Sequence, residues 1–250
     1  MRLDGKHALV TGGGTGIGLA IARALAADGA QVTITGRRLA VLEQAATEGL
    51  HALAMDVADE ASVQDGFASA VAARGPVAIH VANAGIAEGR ALHKTDLAFW
   101  RQMMAINLDG AFLTIRESLS SMRDLDFGRV IAVSSIAGLK GLKGAAAYSA
   151  SKHGMIGLIR ALSEDYLGKA ITFNALCPAY VETDIITRNV ALIKMRAGVT
   201  EAQAHTMMVG ANKHGRLIGT EEVAAAAMWL CSTQSGSING QCIEIAGGQF

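Results

Sequence analysis

Apolar residues come in short continuous runs along this chain, separated by longer stretches in which apolar positions recur at helical spacing. Residues 7–11 form the first run. Five glycines then fall within eight residues, and residues 19–25 (Leu-Ala-Ile-Ala-Arg-Ala-Leu) follow with helical spacing. This order reads as strand, tight loop, helix. The rhythm repeats as strand 31–35 with helix 39–48, strand 51–55 with helix 60–73, and strand 77–81 with helix 97–107. Strand 129–134, a long helix 147–166, strand 171–176, helix 221–230 and strand 242–245 complete it. Strands that are apolar throughout predict a parallel sheet covered on both faces, because a sheet open to water on one side alternates with polar residues instead. The expected fold class is α/β: a doubly wound sheet of seven parallel strands with helices on both faces.

Residues 182–215 break the rhythm, with helical pieces, Met195, Met207, Met208 and scattered Lys and Arg but no strand, and are read as a substrate lid. No linker, repeat or low-complexity tract divides residues 1–250, so a single domain is expected. A composition 51% hydrophobic, with 22 Lys+Arg against 22 Asp+Glu, excludes disorder and leaves no electrostatic footprint for nucleic acid. The N-terminus offers neither a signal peptide nor a membrane span. Cys177, Cys231 and Cys242 make an odd count without CxxC spacing and read as structural thiols in a reducing compartment, which points to the cytoplasm. With 29 Gly and 2 Pro, the chain turns on glycine, which permits close backbone approach.

The glycines cluster where a ligand would meet the backbone. Thr11-Gly12-Gly13-Gly14-Thr15-Gly16-Ile17-Gly18 lies between the first strand and the first helix, where backbone amides and the positive helix end suit a pyrophosphate, as in a Rossmann fold. The Gly12, Gly16, Gly18 spacing resembles the G-x-x-x-G-x-G pattern of the short-chain dehydrogenase/reductase family, and the resemblance runs nearly the whole length of the chain. It implies that Gly12, Gly14, Thr15, Gly16, Ile17 and Gly18 hold a dinucleotide. After the second strand, Gly36 is followed by Arg37 and Arg38 where NAD-preferring proteins place a carboxylate. Arg37 therefore favours NADP(H), since a guanidinium suits a 2′-phosphate; NAD(H) stays open, and both arginines also fit a solvated helix start. By the same resemblance Asp56-Val57 would contact adenine and Asn83-Ala84-Gly85 would lie against the cofactor, with Ala82 standing for a usual Asn. Pro178, Val181 and Thr183 match the element that meets the nicotinamide, with Ala179 in place of a usual Gly.

Tyr148 and Lys152 stand four apart at the start of a long helix, so they share a face. Ser135, Tyr148 and Lys152 match the family triad in order and spacing, and Asn107 matches its fourth member; Ser134 is read as a support. Hydride transfer to a carbonyl builds charge on oxygen and needs a proton donor, the role the resemblance gives Tyr148. The ammonium of Lys152 is expected to lower the tyrosine's pKa and to bond the nicotinamide ribose, Ser135 to hold the substrate oxygen, and Asn107 to anchor a water path. No metal-ligand spacing is visible.

A mostly apolar pocket wall is expected from Ala137, Leu139 and Leu142, from residues 86–88, from Tyr180, and from Ile185, Ile186 and the lid methionines. Lys140, Lys143, Arg188, Lys194 and Arg196 are candidates for an anionic handle, or plain solvated charges. Residues 148–154 and 215–223 resemble 3-oxoacyl and polyketide ketoreductase branches as well as secondary-alcohol dehydrogenases. The reading is an NADP(H)-dependent oxidoreductase interconverting a ketone and a secondary alcohol. Its alternatives are an NAD-dependent dehydrogenase and a non-catalytic dinucleotide sensor. The family is usually oligomeric through two middle helices, so a homotetramer is expected, with Met103, Met104, Phe112, Leu113, Leu158 and Leu162 supplying the face.

Overall fold

The structure is a computed structural model in which residues 3–47 and 49–249 are described, apart from the side chains of Asp184, Ile185, Arg188 and Arg196. Strand β1 (His7–Thr11) leads through the glycine loop to helix α1 (Gly16–Ala27). Then follow β2 (Gln31–Gly36), α2 (Leu39–Ala45), β3 (Leu50–Ala54), α3 (Glu60–Arg74) and β4 (Val77–Ala82). The second half holds α4 (Leu97–Met104), α5 (Gly110–Met122), β5 (Gly128–Val133), α6 (Ala146–Asp165) and β6 (Ile171–Pro178). The lid helices α7 (Asp184–Ala197) and α8 (Glu201–Gly210), then α9 (Thr220–Cys231) and β7 (Cys242–Ile245), close the order. The predicted end of α2 at residue 48 lies outside the described residues.

All seven strands pair in parallel in the order β3-β2-β1-β4-β5-β6-β7. Succession reverses between β1 and β4, and the crevice beyond the carboxyl ends of such a pair is where an open α/β sheet binds ligands. Alternate strand residues feed two cores. Val10, Ile131 and Val133 pack with Ile21, Leu25, Val223 and Leu230 on one face. Leu9, Val130 and Ala132 pack with Phe67, Ile115, Met155 and Ile159 on the other. Each fully buried aliphatic side chain contributes about 2 kcal/mol, and burial of both faces accounts for strands without polar alternation.

One predicted helix is longer and broken. The helix expected over 97–107 is regular to Met104, winds as a wider π-turn over residues 105–109, and continues as α5 to Met122, a stretch given no element from the sequence. Asn107-Leu108-Asp109-Gly110 has the composition of a helix end. Gly110 is instead a packing requirement, since an added Cβ would stand 2.8 Å from Val57 Cγ2. The break between α7 and α8 is encoded locally: Gly198 ends α7 in the left-handed conformation (φ 65°), and Thr200 and Gln203 form a capping box that starts α8.

Candidate active site

The glycine loop works partly as a cradle and partly as packing. Gly12 and Gly16 take positive φ (63° and 54°), which L side chains rarely adopt. Thr15 precedes α1 without a side-chain cap, and the first helical turn carries no acidic residue, so the N-terminal N–H groups and positive helix end are left to an anion. Gly18 has a different role from the expected one. It is buried, and an added Cβ would fall 2.4 Å from both Asn83 Nδ2 and Gly12 O. Asn83 is the knot there: its Nδ2 donates to Thr11 O (2.8 Å) and Gly12 O (3.2 Å), and its N–H donates to Thr11 Oγ1 (3.0 Å). This joins the ends of β1 and β4 directly beneath the loop.

A cleft of about 870 Å³ runs from this loop across the strand ends. Gly12, Gly14, Thr15, Gly16, Ile17, Arg37, Arg38, Asp56, Val57, Asn83, Ala84, Gly85 and Thr183 line it, as expected of a dinucleotide site. Sequence reasoning missed Thr35, Val41, Leu42, Met55, Phe99, Gln102 and Ile106, which also line it; apart from the exposed Gln102 they are residue types common in cores, and none carries a signal of its own. Thr35 Oγ1 is buried there without a hydrogen-bond partner, so the cleft retains unused polar capacity as well as an anion cradle. Both features fit a dinucleotide.

A second cavity of about 410 Å³ adjoins the cleft and shares Asn83, Gly85, Ile86 and Thr183 with it. Ser135, Tyr148 and Lys152 all line it, with Pro178 and Val181. Ser135 follows β5 and caps a short helical turn, its Oγ accepting from Ala137 N–H (3.1 Å). Tyr148 and Lys152 lie one turn apart on α6, with Lys152 Nζ 5.9 Å from the tyrosine ring centre. Lys152 is buried and donates to Val133 O (2.8 Å), and Ser134 Oγ donates to Lys152 O (3.2 Å), on the backbone side of the lysine. Burial draws the lysine's pKa down to about 8.

The expected effect on Tyr148 is reversed. Burial pushes its pKa up, against an opposing hydrogen bond with Ser135, so its hydroxyl holds its proton at neutral pH.

Asn107 sits in the π-turn, lines neither the cleft nor the cavity, and stands behind Gly85, which lines both. Fully buried, its Oδ1 accepts from Ile86 N–H (2.8 Å), and its Nδ2 donates to Ile86 O (2.9 Å) and Ser151 Oγ (3.1 Å). A Cβ on Gly85 would touch Asn107 Oδ1 at 3.2 Å and Lys152 Nζ at 3.7 Å, so these three residues meet at one point.

The substrate wall differs in detail from expectation. Leu142, Tyr180 and Ile186 line the smaller cavity, joined by Asn189, Leu192, Ile193 and Met208. Ala137 does not: it is fully buried against neighbours and has no face on the cavity, and Leu139 packs into the sheet core. Of the lid methionines only Met208 lines it, Met195 and Met207 being exposed. The side chains of Ile185, Arg188 and Arg196 lie outside the described residues. Lys143 lines the cavity, whereas Lys140 Nζ donates to Gln249 and Lys194 pairs with Glu201 on the surface. Ala179 carries no strain, since no non-glycine residue among those described has positive φ. In the expected subunit face, Met103 and Leu113 are core residues, and Phe112 is 45% exposed.

With this geometry in place, the chain can be set beside known proteins. The short chain dehydrogenase model matches residues 6–192. Acetoacetyl-CoA reductase of Rhizobium meliloti (strain 1021) is 37% identical over 249 residues, covering 98% of each chain. The 3-oxoacyl-acyl-carrier-protein reductase FabG of Aquifex aeolicus (strain VF5) is 32% identical over 257 residues, covering 100% of this chain and 99% of its own. Actinorhodin polyketide ketoreductase, solved as a single-site variant with NADPH, superposes with a TM-score of 0.92 at 30% identity, covering 97% of this chain and 96% of that one. The chain belongs to the short-chain dehydrogenase/reductase family. It is an oxidoreductase of the class that acts on CH–OH and ketone groups with a nicotinamide dinucleotide. Among the described residues, no helix is long and apolar enough to cross a membrane.

Proposed function

We propose that the chain is one catalytic domain that interconverts a ketone and a secondary alcohol with NADP(H) in preference to NAD(H), with 3-oxoacyl thioesters as the first substrate class to test. The observation that carries this reading is the opening of the Ser135–Tyr148–Lys152 cavity directly into the glycine-loop cleft. A bound nicotinamide supplies or takes up the hydride. Gly14, Thr15, Gly16 and Ile17 would hold the pyrophosphate, and Arg37 and Arg38, with no carboxylate at the end of β2, would receive a 2′-phosphate. Lys152 would anchor the nicotinamide ribose.

Tyr148 would donate the proton when a carbonyl is reduced, since its side chain shares the cavity with Ser135 and the alkoxide that hydride transfer builds there is a far stronger base than the phenolate. Ser135 would hold the same oxygen. Asn107 fixes the π-turn against Ile86 and would steady the water path behind Lys152. The apolar wall of Leu142, Ile186, Leu192 and Met208 suits an acyl chain, with Lys143, beside Leu142 in the lining, as a cation that an anionic group would meet. The names of the relatives, acetoacetyl-CoA reductase and FabG, support this class of substrate.

Following nicotinamide absorbance with NADPH and a short 3-oxoacyl thioester tests the reading. Tyr148→Phe should lower turnover by about a thousandfold while leaving NADPH affinity within about a factor of two. Turnover by Tyr148→Phe at the wild-type rate overturns the acid/base assignment. In the same assay, Arg37→Asp should move the ratio of kcat/KM values toward NADH by about tenfold or more; an unmoved ratio overturns the NADP preference.

A further inference from the structure

The lid leaves the sheet at Val181 and returns at Ile218, and these two residues pair as a single parallel bridge. Across that neck lies Asn212, 1% exposed, in the turn after α8. All three side-chain hydrogen bonds of Asn212 go to backbone. Its Oδ1 accepts from Tyr180 N–H (3.2 Å), and its Nδ2 donates to Tyr180 O (2.9 Å) and Arg216 O (2.8 Å). Tyr180 O also accepts from Ile218 N–H (3.0 Å). The peptide groups on both sides of Tyr180 are thus held by one side chain, as a ladder partner would hold them. Asn212 itself is fixed by the turn, its N–H donating to Val209 O (3.1 Å) and its carbonyl accepting from Gly215 N–H (2.9 Å). The neighbouring Ala211 O accepts from the Gln249 side chain, tying the same point to the C-terminal segment.

Tyr180 is where this clamp meets the site. Its side chain packs against the small lid core of Ile186, Val190, Ala204 and Met208, and it also lines the cavity that holds Ser135, Tyr148 and Lys152. Whatever fixes the Tyr180 backbone therefore fixes the shared wall between lid and cavity. We propose that Asn212 is a positioning residue for substrate: by gripping Tyr180 at the lid neck, it holds the lid wall of the cavity in the shape that receives the ketone or alcohol. The inference rests on the reading of that cavity as the substrate site. It has a chemical consequence, because Asn212 itself lines neither the dinucleotide cleft nor the cavity of the reacting groups. Its loss falls first on substrate affinity.

The test compares Asn212→Ala, Asn212→Ser and Tyr180→Ala in the purified full-length enzyme. With a 3-oxoacyl thioester and NADPH, Asn212→Ala should raise KM about tenfold while kcat stays within about a factor of three and NADPH affinity within about a factor of two. Asn212→Ser, which keeps a donor and an acceptor, should recover part of the loss. Because Asn212 is argued to act through Tyr180, the double variant Asn212→Ala with Tyr180→Ala should raise KM no further than Tyr180→Ala alone. Multiplying effects overturn the proposal, as does a wild-type KM in Asn212→Ala. A second readout needs no turnover: amide hydrogen exchange at Tyr180 and Ile218 should accelerate about tenfold in Asn212→Ala relative to the sheet amides. Unchanged exchange overturns the clamp. Should wild-type protein turn over none of the thioesters, the substrate reading fails by that result, while the exchange measurement still decides whether Asn212 holds the neck.

Discussion

The dinucleotide cleft and the lid both border the catalytic cavity, yet they are built on opposite terms. The cleft rests on paired parallel strands and on glycines so tightly packed that single missing methyl groups define its shape. The lid rests on four buried residues, Ile186, Val190, Ala204 and Met208, and on a neck closed by the side chain of Asn212. The first arrangement fixes atoms by excluding volume, which leaves no room for adjustment. The second fixes a wall through a few hydrogen bonds, which leaves the rest of the lid free to vary with substrate.

The sharpest way to break the contrast is at Gly18. A Cβ there meets backbone (Gly12 O) and the Asn83 amide at 2.4 Å, and neither is the free end of a flexible chain. Gly18→Ala should therefore cost about 3 kcal/mol in urea unfolding, the upper range for overpacking, and should weaken NADPH binding as the loop shifts. A loss below about 0.5 kcal/mol would show that the loop yields as readily as the lid.

The next contrast lies in the sheet under the cleft. His80 on β4 is fully buried, with Nδ1 3.3 Å from Leu9 O, Nε2 unpartnered and Phe67 edge-on at 5.6 Å. Burial draws its pKa down to about 3. The sign follows from proton binding: below pH 6.5 the unfolded chain takes up a proton that the folded chain refuses, so the stability held above pH 6.5 is lost progressively toward pH 3. His80→Leu should flatten this acid limb by about 4 kcal/mol between those limits, measured as urea midpoints across the range. An acid limb of wild-type slope in the variant would mean that His80 gains a proton while folded.

The same contrast explains what the sequence disclosed. Strand and helix order, the glycine loop and the Ser135, Tyr148 and Lys152 positions were legible because each depends on local pattern: period, spacing or a glycine requirement. What remained hidden depends on meetings across long separations. Asn212 lies far along the chain from Tyr180, and nothing in Ala-Asn-Lys-His marks the asparagine as buried. Thr35, Met55 and Ile106 enter the cleft only because strand register and the π-turn bring them there. The upward shift at Tyr148 is of the same kind, since its first cause is burial, which a four-residue spacing does not contain. Ala137 shows the converse: its place two residues after Ser135 suggests pocket lining, whereas the structure buries it completely.

The smallest predicted effect sharpens the comparison from the lid side. Met195 and Met207 are 73% and 53% exposed, on α7 and α8, and neither lines the catalytic cavity. Replacing either with lysine removes apolar surface that water already reaches and leaves the core of Ile186, Val190, Ala204 and Met208 untouched. Met195→Lys and Met207→Lys should each change the urea unfolding free energy by less than about 0.5 kcal/mol and leave the thioester KM within about a factor of two. Met208→Lys, by contrast, places a charge in the cavity wall and is the internal control for a change the lid does feel. If the exposed methionines changed KM as strongly as Met208, the lid would close over substrate by burying its outer face. The neck at Asn212 would then be a hinge for that movement instead of a fixed clamp.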